Sequence, residues 1–67
     1  MDWTIVYTTR DPWSGELVKQ ILEENQIEVV SLNKKDSSYH FGDISLYVPN
    51  EKFNLAIEVL ISHDLEQ

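Results

Sequence analysis

The chain has 67 residues, 42% of them apolar, with 12 acidic side chains against 5 basic ones, two glycines, two prolines and no cysteine. That length allows one small domain, residues 1–67, and the missing cysteines exclude disulfide staples, thiolate zinc sites and cysteine nucleophiles. A formal charge of −7, with Lys34-Lys35 as the one adjacent basic pair, excludes a groove for a phosphate backbone, so no nucleic-acid partner is expected.

Trp3 to Thr9 is aromatic and β-branched almost throughout and predicts a first strand, with Trp3, Ile5 and Tyr7 on one face and Thr4, Val6 and Thr8 on the other. Asp11-Pro12 supplies an acidic N-cap followed by proline at the first helical position, where its missing N–H is no loss. A helix therefore starts there, with Trp13, Leu17, Val18, Ile21 and Leu22 as its apolar stripe. The pair Asn25-Gln26 closes it, with Asn25 expected in the left-handed cap position. Ile27 to Leu32 predicts the second strand, stopping before Asn33.

Residues 33–43 are polar and lack apolar periodicity, which predicts an eleven-residue loop, long for so small a protein and of the kind that often carries function. Ile44 to Val48 alternates as a third strand, and Pro49 ends it. Asn50 is expected to cap a second helix running to about Ser62, with Phe53, Ala56, Ile57, Leu60 and Ile61 as its stripe.

The order β-α-β-β-α predicts an α+β fold: a ferredoxin-like two-layer sandwich lacking its fourth strand, a three-stranded sheet with two helices on one face. The third strand is expected between the first and second, leaving the first at an edge. That edge holds Ile5 and Val6 with no proline or lysine, so it is either short, twisted and harmless, or a route to self-association together with the open sheet face. A chain of this size buries only about 60% of its unfolded surface, which makes a homodimer plausible. Apolar runs such as Val29-Val30 and Leu55-Ala56-Ile57 are too short to span a membrane, and Met1-Asp2-Trp3-Thr4 has no basic leader, so a cytoplasmic protein is expected.

Tyr7-Thr8-Thr9-Arg10-Asp11, Glu16-Leu17-Val18-Lys19 with Leu22-Glu23-Glu24, Asn33-Lys34-Lys35-Asp36-Ser37 with Tyr39 and Gly42, and Ile44 to Val48 together resemble the DUF2007 family. The resemblance covers nearly the whole chain and implies a PII-like, ferredoxin-like fold and a role in prokaryotic signal transduction. Similar sequences usually carry glycine where Gln26 stands, which bears on the geometry of the first helix's cap.

Catalysis needs a nucleophile with a base, paired carboxylates or a metal, and no such constellation is present, so no enzyme, catalytic residue or cofactor is expected. A metal site from Asp36, His40 and Asp43 lacks a spacing motif, and an exposed loop histidine is the ordinary alternative. Ser37 and Ser38 fit turn formation. Isolated Gly15 in the first helix points to close packing, and Trp13 is expected in the core on its spacing to Leu17.

Arg10 ends the first strand, and Asn33, Lys34 and Lys35 follow the second, so three cations gather at one end of the sheet. The leading expectation is a small regulatory or adaptor domain that binds a protein partner or itself. Its binding residues are Arg10, Asn33, Lys34, Lys35, Asp36, Ser37 and Tyr39, with the open sheet face. The alternatives are a sensor of a small anionic metabolite or nucleotide at the same cations, which are otherwise simply solvated strand ends, and an enzyme.

Overall fold

The computed structural model describes residues 2–35 and 42–65. Strand β1 spans Trp3–Thr9, helix α1 Pro12–Glu24, strand β2 Val30–Lys35 and strand β3 Gly42–Pro49. A 3-10 turn over Asn50–Lys52 leads into helix α2, Phe53–Ser62. The expected β-α-β-β-α order holds, and the sheet order is β1-β3-β2, with β3 antiparallel to both neighbours. This is an α+β, ferredoxin-like arrangement with one open sheet.

The two faces of the sheet follow from the pleat of β3. Leu46 and Val48 are fully buried and belong with Val18, Leu22, Ala56 and Leu60 to the core between sheet and helices. The alternate positions Ser45 and Tyr47 therefore belong to the opposite, uncovered face.

Strand β1 departs from simple alternation. Ile5 pairs with Tyr47 but Tyr7 pairs with Leu46, so Val6 is an extra residue, a β-bulge. Val6 is buried, and Tyr7 packs against the core instead of sharing the face of Trp3 and Ile5. One inserted residue has turned the second half of the strand over.

The second strand lies three residues later than the apolar pattern suggests. Asn33, Lys34 and Lys35, expected in a loop, are β2 residues paired with Ile44, Asp43 and Gly42. Pairing with β3 decides the matter here, because an edge strand accommodates polar residues that side-chain propensity alone would place in a turn. The stretch between the two strands shrinks to residues 36–41.

Helix α1 starts as its sequence dictates. Asp11 accepts the Trp13 N–H at 3.1 Å and the Ser14 hydroxyl at 2.8 Å, with Pro12 as the first helical residue. The buried face is Gly15, Val18 and Leu22, with Ile21 partly buried. Trp13, expected in the core, is 85% exposed, and Leu17 is exposed as well. Gly15 lies on the side of α1 that faces the sheet: a Cβ there would stand in ordinary van der Waals contact with Ile44 Cγ2 at 3.4 Å and Thr9 Cγ2 at 3.5 Å. The helix thus turns its smallest side chain toward Thr9 and Ile44, and Trp13, two residues earlier, lies on the exposed side.

Both helices end in the same way. After α1 the Gln26 N–H bonds to the Glu23 carbonyl and the Ile27 N–H to the Leu22 carbonyl; after α2 the Asp64 N–H bonds to Ile61 and the Leu65 N–H to Leu60. Each is a Schellman closure, with Gln26 (φ 63°) and Asp64 (φ 57°) in the left-handed region. Gln26 itself, and not Asn25, takes that position; the Asn25 side chain instead donates to the Ile21 carbonyl at 2.8 Å. Ile27 and Leu65 follow these turns back onto the core.

In α2 the buried residues are Ala56, Val59 and Leu60, so Val59 replaces the expected Ile61, which is exposed. Asn50 does not cap this helix. Its Oδ1 accepts the Thr4 hydroxyl and its N–H donates to the Asp2 carbonyl at 3.1 Å, tying the start of β1 to the end of β3.

Candidate functional site

Two surfaces carry the residues singled out by the sequence. The first is the end of the sheet where β1 finishes and β3 begins. Thr9 pairs with Ile44, which places Arg10 beside the start of β3, and its Nε lies 3.6 Å from Asp43 Oδ1. Lys34 pairs with Asp43 from the other side. Arg10, Asn33, Lys34 and Lys35 are therefore brought to one end of the sheet, as their positions after the first two strands suggest, and Asp43 stands between the two strand ends. The Arg10–Asp43 pair is exposed on both sides, so it adds little to stability and orients the guanidinium.

The local frame of this corner is well tied. The Thr9 hydroxyl accepts the Asp11 N–H at 3.0 Å, and Asp11 in turn caps α1. The Ser14 hydroxyl and the Trp13 N–H hold the Asp11 carboxyl below its ordinary pKa. Asp36, Ser37 and Tyr39, the rest of the expected binding set, lie outside the described residues, as does His40. Among the described residues no group of three or more His, Asp or Glu could hold a metal ion.

The second surface is the uncovered face of the sheet. Cross-strand register puts Ile5, Tyr47 and Val30 in one row, with Leu32 beside Ser45 in the next. Ile5, Val30 and Leu32 are 47%, 39% and 45% exposed, high values for aliphatic side chains in the strands of so small a sheet. Trp3, Val30, Leu32 and Tyr47 line a shallow apolar hollow of about 380 Å³. The alternation of β3 signals this face, but its continuity across three strands depends on the bulge in β1 and the later start of β2, neither of which the apolar pattern carries.

No helix among the described residues is long and apolar enough to cross a membrane. No curated protein and no solved structure matches the chain. The family model of DUF2007, described as "Putative prokaryotic signal transducing protein", matches residues 3–64, a span that takes in every strand and both helices. With nearly its whole length so matched, the chain belongs to the DUF2007 family.

Proposed function

We propose that this chain is a small, non-enzymatic regulatory or adaptor domain of the cytoplasm that works by binding a protein, through the open sheet face and the adjoining stretch from Asn33 to Asp43. The observation that carries the reading is the row Ile5-Tyr47-Val30 with Leu32: aliphatic and aromatic side chains left in solvent on a scaffold whose other sheet face packs Leu46 and Val48 beneath the two helices. Membership of a family described as signal transducing supports a regulatory role. Such a domain needs no reacting groups of its own; a rigid sheet presents the contact residues and the connection beside it adds polar discrimination. Affinity capture from the native cell tests it. Leu32→Lys and the triple change of Lys34, Lys35 and Asp36 to alanine should each remove captured partners, and unchanged capture by both variants would overturn the reading.

A second reading rests on the sheet end. Arg10, Lys34 and Lys35 share one corner of a chain that is otherwise acidic, and that corner suits a small anionic metabolite or a nucleotide phosphate. Asp43 offsets part of its charge, which favours protein binding as the first reading. A thermal-shift panel of nucleotides and acidic metabolites tests it: a ligand at 100 times its Kd stabilises by about 2.7 kcal/mol, and a flat panel would sink it.

A further inference from the structure

The geometry points to a second copy of this chain as the occupant of the open sheet face: a two-fold, face-to-face dimer in which the two sheets stack through Ile5, Val30, Leu32 and Tyr47. This rests on the reading of that face as a binding surface and names what binds there.

Charge is the first argument. The three strands together hold one acid, Asp43, against Lys34 and Lys35, so the acidic excess lies on the helices and connections. Two chains of charge −7 that met through their helices would bring Glu16, Glu23, Glu24 and Glu58 of both copies together. Meeting through the open face keeps those carboxylates on opposite outer surfaces. The one acid on the strands is ion-paired with Arg10, and its backbone partner on β2 is Lys34. The face is thus the part of the molecule where like copies approach without apposing the carboxylates of their helices.

Shape is the second. Two sheets of the same twist stack about 10 Å apart with side chains interdigitating, so a sheet face is complementary to its own copy. In-plane growth of the sheet is disfavoured at both edges: the Val6 bulge interrupts β1, and β2 is short and ends in Lys34-Lys35. Stacking is the remaining way for this sheet to bury its apolar row.

Area sets the strength. Three strands about 4.8 Å apart and roughly seven residues long at about 3.3 Å per residue present a plane of about 330 Å². With side-chain relief two such faces bury on the order of 1,000 Å², the lower limit for a specific interface. An interface at that lower limit belongs with weak, transient contacts, so the dimer is expected to dissociate at roughly 1–100 μM and to exchange readily.

Sedimentation equilibrium from about 1 to 500 μM tests this, since the expected range of dissociation falls within it. The wild-type mass should rise from monomer to dimer. Leu32→Lys and Val30→Lys should each remain monomeric while keeping the wild-type far-ultraviolet circular dichroism, because both sites are exposed in the monomer. Trp13→Phe leaves Trp3 as the one indole, at the margin of the stacked face, and its emission should shift to the blue over the same concentrations. A monomeric mass throughout would overturn the dimer. So would a dimer that survives both lysine variants, which would place the contact elsewhere. A monomer whose capture of a different protein depends on Leu32 would overturn the dimer and leave the binding role standing; a face-dependent dimer with no captured protein would do the reverse for hetero-partners.

Discussion

The two faces of the sheet are built from similar residues and meet different fates. Beneath the helices, Leu46 and Val48 lose all contact with water, while on the other side Val30, Leu32 and Ile5 keep 39–47% of theirs. The difference teaches that strand composition sets how much apolar surface a sheet offers, and that the layer count decides how much of it is used. Two helices cover one face, and nothing among the described residues covers the other.

The largest effect should come from breaking the covered face. Leu46→Ala, in the central strand with no exposure, is expected to cost about 2–5 kcal/mol, against a total of roughly 3–10 kcal/mol for a domain of this length, measured by urea denaturation. Leu32→Ala on the open face should cost under about 1 kcal/mol at concentrations where the chain is monomeric. Equal losses would erase the distinction between the faces.

The margin of the covered face can be sharpened. Gln26 holds a left-handed conformation that glycine adopts without the Cβ penalty, so Gln26→Gly should raise stability by about 1 kcal/mol. A loss on that substitution would show that the Gln26 side chain matters more than its backbone. Smaller still, Trp13→Ala should change thermal stability by no more than about 0.5 kcal/mol, since the ring stands 85% exposed. A core tryptophan would cost several times more.

The last effect is a pH dependence. Asp11 is held below its ordinary pKa by the Ser14 hydroxyl and the Trp13 N–H, so its contribution to stability is present above about pH 4 and is lost as pH falls through the depressed folded-state value. Thermal melts from pH 2 to pH 6 should show Asp11→Ala less stable than wild type at the upper end, with the two curves converging at the lower end. A gap that persists at the acid end would assign the effect to something other than the carboxylate.

Much of this was legible in the residues. Asp11-Pro12 fixed the start of α1 because a cap and a proline act locally, and the β-α-β-β-α order follows from changes of apolar period. The strand-end corner was legible too, since Arg10 and Lys34 need only the direction of their strands to be placed together. What escaped depends on contacts between distant segments. The Val6 bulge exists only against β3, and the extension of β2 through Lys35 exists only because Gly42 and Asp43 pair with it. The spacing of Trp13 to Leu17 cannot show that the buried face of α1 runs instead through Gly15, Val18 and Leu22, with Gly15 toward Thr9 and Ile44. At the left-handed cap, Asn25 has the better intrinsic preference, yet the closure puts Gln26 there so that Ile27 can reach the core.

The strand order also governs when the protein can fold. The centre of the sheet is the last of the three strands in chain order, and β1 and β2 do not pair with each other, so the sheet cannot form before it arrives. A chain emerging from its N-terminus can form α1 early, but the sheet must wait for Leu46 and Val48. Its first step is then the local β2–β3 pairing, and β1 closes from about forty residues away, Thr4 onto Val48. Until that moment Val6 and Tyr7 are exposed on a lone strand, so the interval before β1 docks is when this small domain is most open to misassociation.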